Sequence, residues 1–94
     1  ATVIGYGYMG RHYVQALQAL GVKRITVCSR SEGPLAELQG MEGVTTISGG
    51  YSQIGKTPPA DELGIVTTPT ADLIGATEHL VDCGFRKILI EKPV

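Results

Sequence analysis

Cysteine is nearly absent: Cys28 and Cys83 are the only two in 94 residues. Two thiols so far apart in sequence build neither a disulfide scaffold nor a metal knuckle, and no Cys/His clustering marks a zinc site. They read as reduced, structural cysteines. No apolar stretch approaches the roughly 20 residues that span a bilayer, and the chain does not open on a basic segment followed by an apolar one. The expectation is a soluble, cytoplasmic protein with no membrane partner. Neither sign of charge dominates, since eight Lys and Arg stand against nine Asp and Glu for a net charge of −1. The basic residues are scattered along the chain, which makes nucleic acid a poor partner. There is no internal repeat and no low-complexity tract.

What remains is ordinary globular composition, 43% hydrophobic and 18% charged, in a length that fits one domain, residues 1–94, with a single core. The chain opens without Met inside an apolar run and stops at "LIEKPV". The expectation is the front part of a longer protein whose second domain lies beyond.

"ATVI" is a short β-branched run ending at Gly5, suited to a buried parallel strand. Met9, Tyr13, Ala16, Leu17 and Leu20 recur at helical spacing, and Gly21 supplies a stop. "RITVC" (Arg24 to Cys28) reads as a second strand, and "GPLAELQ", with Pro34 at its start, as a short helix. "VTTI" (Val44 to Ile47) reads as a third strand, in a middle section otherwise left open from Gly40 to Asp61. A strand over Leu63 to Thr67 leads to a helix from about Ala71 to Cys83, with Leu73, Ala76, Thr77 and Leu80 on its apolar face and Gly84 as its stop. "KILIE" (Lys87 to Glu91) is the last strand. Strands alternating with helices predict an α/β fold: a doubly wound parallel sheet, Rossmann-like, in three αβα layers. Ligands of such sheets sit outside the carboxyl ends of the strands. Cys28 then ends a strand at the ligand edge, while Cys83 ends a helix at the opposite edge, which forbids a disulfide between them.

Gly5, Gly7 and Gly10 form a G-x-G-x-x-G turn between strand and helix. In that context Gly5 makes the tight turn, Gly7 lets a pyrophosphate approach the backbone, and Gly10 lets helix and strand pack closely. Tyr6, Tyr8 and Met9 fill the intervening positions, the two tyrosines as candidate cofactor flanks. A turn that simply needs glycine, or the glycine-rich first turn of a methyltransferase, stands as the alternative. After the second strand come Ser29, Arg30 and Ser31, where NAD-binding domains carry an acidic residue for the ribose 2′-hydroxyl. A guanidinium flanked by hydroxyls suits a 2′-phosphate, so NADP is favoured over NAD. Glu32 remains a possible ribose partner.

Taken in order with the glycine turn, Thr67-Thr68-Pro69 and Glu91-Lys92-Pro93 give a chain that resembles, over essentially all 94 residues, the N-terminal domain of the glucose–fructose oxidoreductase, inositol dehydrogenase and rhizopine-catabolism (Gfo/Idh/MocA) oxidoreductase family. The resemblance implies hydride transfer between a nicotinamide and a hydroxyl or carbonyl carbon of a sugar, cyclitol or related small metabolite. It assigns Thr67, Thr68 and Pro69 to the nicotinamide ribose, and Glu91 and Lys92 to the same end of the cofactor, with Lys92 as the catalytic cation. It also implies a following domain that supplies the substrate pocket and a homo-oligomer surface, an inactive fragment without it, and a cis bond to check at Pro93. The chain departs from the family pattern at Thr70 and Leu73, where Asn and His are usual. A non-catalytic, nucleotide-sensing domain is the alternative, against which Lys92 argues. His12 and His79 fall off the apolar faces of their helices and read as solvated.

Overall fold

The computed structural model describes residues 1–56, 58 and 62–91. In chain order these form β1 (Thr2–Ile4), α1 (Tyr8–Ala19), β2 (Ile25–Ser29), a 3₁₀ segment (Gly33–Leu38), β3 (Val44–Ser48), a 3₁₀ turn (Tyr51–Gln53), β4 (Leu63–Val66), α2 (Thr70–Cys83) and β5 (Lys87–Ile90). Every strand pairing is parallel, and the order across the sheet is β3-β2-β1-β4-β5. β1 therefore lies at the centre, and the chain reverses its direction of travel across the sheet between β3 and β4. The predicted α/β doubly wound, three-layer architecture is the one observed.

Parallel strands buried on both faces need no alternation of apolar and polar residues, which is why the strands read as short continuous apolar runs. Register sorts the side chains by face. Val3 pairs with Val27 and Ile65, and this row packs with Val14 and Leu17 of α1 and with Leu35 and Leu38 of the 3₁₀ segment. Ile4 pairs with Cys28 and Val66, and that row packs with Ala76, Leu80 and Cys83 of α2, and with Phe85 and Ile54. The sheet thus separates two apolar clusters, each closed by its own helix.

Helix ends follow the glycines. After α1, Gly21 (φ 82°) and Val22 donate their N–H groups to the Gln18 and Leu17 carbonyls. Gly84, at φ 104°, caps α2, and Phe85 N–H reaches the Leu80 carbonyl, the wrap expected of a left-handed cap. Cys28 and Cys83 are both buried and free.

The buried face of α1 differs from the sequence reading. It consists of Gly10, Val14 and Leu17, whereas Leu20 is 80% exposed and Met9 36% exposed. The helical period is right and its phase is rotated, because a glycine rather than a large apolar side chain faces the sheet. A Cβ on Gly10 would collide with the Gly5 carbonyl oxygen and come within 3.2 Å of Thr67 Oγ1. The segment after Pro34 is 3₁₀ rather than α, and buries Leu35 and Leu38, three apart, as a threefold helix requires. β3 runs one residue further than predicted, to Ser48, and the turn Tyr51–Gln53 gave no signal in the sequence.

The close helix–turn contact sets a measurable cost. Gly10→Ala should lower stability by about 2–3 kcal/mol, since the obstruction is backbone and cannot rotate away. Gly33→Ala, where an added Cβ meets nothing within 4 Å, should stay within about 0.5 kcal/mol of the parent. Urea unfolding of both variants checks this; a Gly10→Ala midpoint equal to that of Gly33→Ala would refute the packing account.

Candidate functional site

The carboxyl ends of β1, β2 and β4 open onto one cleft of about 550 Å³, at the point where the strand order reverses. Backbone hydrogen bonds carry each strand into its loop: Gly5 N–H donates to the Cys28 carbonyl, Thr67 N–H to Ile4, Gly50 N–H to Ser29 and Glu91 N–H to Val66. The loops are therefore held in register with the sheet.

The glycine turn forms the middle of the floor. Gly5 takes φ 95° and stands against Thr67, where an added Cβ would fall 2.8 Å from Oγ1. The Thr67 hydroxyl is shared between the Ile4 and Gly5 carbonyls, each at 3.0 Å. Gly7 is different: its φ is −93°, and a Cβ there would meet nothing within 4 Å. It precedes α1, whose first turn has no side-chain cap and no acidic residue. That turn presents unpaired N–H groups and the positive end of the helix dipole to the cleft.

Of the residues singled out in the sequence, Gly5, Tyr6, Gly7, Tyr8, Met9, Ser29, Arg30, Ser31, Thr67, Thr68, Pro69 and Glu91 border this cleft. Gly10 lies behind it, in the helix–turn contact. Lys92 and Pro93 lie outside the described residues. The Thr68 hydroxyl is buried without a hydrogen-bond partner among the described residues.

Tyr6 borders the cleft while packing inward. Its ring belongs to the core under α1, and its hydroxyl donates to Glu37 Oε1 at 2.6 Å. Arg11 Nε donates to the same oxygen at 2.8 Å, and the Arg11 guanidinium lies 5.6 Å from the centre of the Tyr6 ring. Burial and the Glu37 carboxylate push the Tyr6 phenol up; the bond from Tyr6, with Arg11 beside it, pulls the Glu37 carboxyl down. Tyr8 stays exposed and sets its ring against His12, 4.4 Å between centroids. On the other wall, Tyr13 of α1 donates to Glu91 Oε2 at 2.6 Å, and that carboxylate raises its phenol.

Cys28, expected at the ligand edge, borders the cleft, and so do Pro34, Tyr51 and Asp72, which were missed. Asp72, in the first turn of α2, pairs with Arg30 at 3.6 Å. Tyr51 packs against α2 where Gly75 leaves room for its hydroxyl. Glu32, the alternative ribose partner, is turned to Ser48 Oγ at 3.5 Å and is not among the cleft-lining residues. His79 corrects the solvated reading: it is half-buried, its Nε2 is 3.0 Å from the Ile54 carbonyl and 3.4 Å from Cys83 Sγ. The segment after Tyr51 packs over α2 and covers a position that helical spacing alone leaves outside. Among the described residues no helix is long and apolar enough to cross a membrane.

Burial pushes the Cys28 thiol up to about 11 from an ordinary 9.0, so this cleft cysteine is a neutral thiol at physiological pH. An unfolded thiol gives up its proton first as pH rises, so the folded state loses stability between pH 9 and about 11. Urea midpoints should fall over that range, and fall less in Cys28→Ala; parallel pH profiles for the two chains would contradict this.

No family model matches the chain, and no curated protein or solved structure matches it.

Proposed function

We propose that this chain is the NAD(P)-binding domain of an oxidoreductase that moves a hydride between a nicotinamide and a hydroxyl or carbonyl carbon of a sugar, cyclitol or related small metabolite. The observation that carries the binding reading is Gly7. Gly5 and Gly10 are explained by contacts inside the chain, but Gly7 has neither a left-handed φ nor a neighbour that forbids a side chain. Gly7 is the N-cap of α1, a position that tolerates glycine well, and with no neighbour crowding it the backbone there is left bare in a way that fits a phosphate.

The remaining residues take roles along the cleft. The first-turn N–H groups of α1 hold the pyrophosphate. Arg30, with Ser29 and Ser31, faces the adenosine ribose and favours NADP, while NAD remains usable. The Thr68 hydroxyl, without a partner among the described residues, meets the nicotinamide ribose with Thr67 and Pro69, and Glu91, fixed by Tyr13, borders that end. The nicotinamide, when bound, supplies the hydride chemistry. Lys92 is the residue proposed to polarise the substrate oxygen and hold its proton. The substrate class, Lys92 and a following substrate-binding, oligomer-forming domain rest on the ordered resemblance of the three motifs. A cytoplasmic location accords with a soluble nicotinamide pool.

Calorimetric titration of NADPH and NADH into the purified chain tests the binding reading. Both nucleotides are expected to bind, NADPH the tighter, with Arg30→Ala erasing the difference. Gly7→Ala should cost no more than about 1 kcal/mol of stability, the usual loss for alanine at a helix N-cap, yet lose about tenfold or more in affinity, because a methyl group blocks the phosphate approach. A Gly7→Ala chain that binds as well as the parent would exclude the cradle.

Thr68→Val gives a second handle. Removing a buried hydroxyl that has no hydrogen-bond partner among the described residues should leave the free chain as stable or about 1 kcal/mol more so, while weakening nucleotide binding several-fold. Loss of stability without loss of affinity would assign Thr68 to the fold instead.

A further inference from the structure

The ion pair across the mouth of the cleft sets two elements against each other. Arg30 follows β2, and Asp72 sits in the first turn of α2; their side chains meet at 3.6 Å although each is partly solvated, 77% and 31% exposed. Both border the cleft, with Tyr51 and Pro34 beside them. Besides these two, the only charged side chain bordering the cleft, among the described residues, is Glu91, and Tyr13 holds it. The Arg30 guanidinium, proposed above to meet a ribose 2′-phosphate, thus already has an anionic partner.

We propose that Asp72 sets the balance between the two dinucleotides by competing for Arg30, an inference that rests on the reading of the cleft given above. A 2′-phosphate must draw Arg30 away from the Asp72 carboxylate and then sit near that carboxylate with like charge. A ribose 2′-hydroxyl meets no such penalty and finds in Asp72 an acceptor. Asp72 thereby takes the part that sequence position offered to Glu32, from a helix on the opposite face of the sheet. The pair moderates the preference for NADP and keeps NAD usable, which a lone arginine would not do.

The size of the effect is bounded by the exposure of the pair. Solvated ion pairs contribute little, and a carboxylate beside a phosphate dianion adds repulsion that salt screens. Asp72→Asn should therefore raise the ratio of NADPH to NADH affinity by about three- to tenfold. The gain should shrink at high ionic strength.

The experiment is calorimetric titration of both nucleotides into the parent chain, Asp72→Asn, Arg30→Ala and the double variant, at low and high salt, with an unfolding midpoint for each. The expected result is a ratio that rises in Asp72→Asn and a shift of less than about twofold when the same substitution is made in the Arg30→Ala background. An unchanged ratio in Asp72→Asn, or an equal shift with and without Arg30, overturns the proposal while both nucleotides still bind. If neither nucleotide binds the parent chain, the reading of the cleft itself falls, and this proposal with it. Asp72 also lies at the positive end of α2, so Asp72→Glu, which keeps the charge and should keep the parent's ratio, separates loss of charge from loss of a favourable helix-end contact.

Discussion

The structure turns on one close approach, that of Gly10 in α1 to the Gly5 carbonyl at the end of the central strand. No side chain fits between them, so the helix lies directly on the turn. The Thr67 hydroxyl, which spans the Ile4 and Gly5 carbonyls, ties the end of the neighbouring strand to the same point. The glycine turn, the start of α1 and, from far along the chain, the end of β4 thus meet where β1 stops. The position of the helix mouth relative to β4 is fixed by backbone and a short hydroxyl, and not by long side chains that could rearrange. A cleft formed there is preorganised, which matters for any ligand held by main-chain N–H groups.

Around that point the polar residues divide into those already satisfied and those left open. Tyr6, Arg11 and Glu37 satisfy one another, which steers the Tyr6 ring into the core and anchors the glycine turn to the 3₁₀ segment. Tyr13 and Glu91 do the same between α1 and the end of β5. The Thr68 hydroxyl has no such partner within the described chain, an added Cβ at Gly7 would meet nothing within 4 Å, and both residues border the cleft. The contrast between a braced surround and an open centre supports the proposed binding role.

Much of this was legible in the sequence, for physical reasons that differ from residue to residue. The apolar runs and the glycine stops are local signals, so the strands, the alternation and the ends of both helices could be read from spacing. The glycine turn, the loop after β2 and the Thr67–Pro69 stretch could be placed at one edge because every strand in a parallel sheet points its carboxyl end the same way. The phase of α1 was not legible, since Gly10 carries no hydrophobicity to betray that it faces inward. Asp72, Tyr51 and the environment of His79 depend on contacts between elements far apart in the chain. Helical spacing leaves His79 outside the apolar face, and only the return of the Ile54 segment covers it.

The separation of the core into two clusters bears on motion. The cluster under α1 and the cluster under α2 share no side chain, and the sheet lies between them. One rim of the cleft rides on the first cluster and the facing rim on the second, so each can loosen by a local opening that leaves the other packed. A molecule long enough to touch both rims would turn two separate openings into one. Its occupancy would then appear as slowed amide exchange at positions remote from any contact with it, on both sides of the sheet at once.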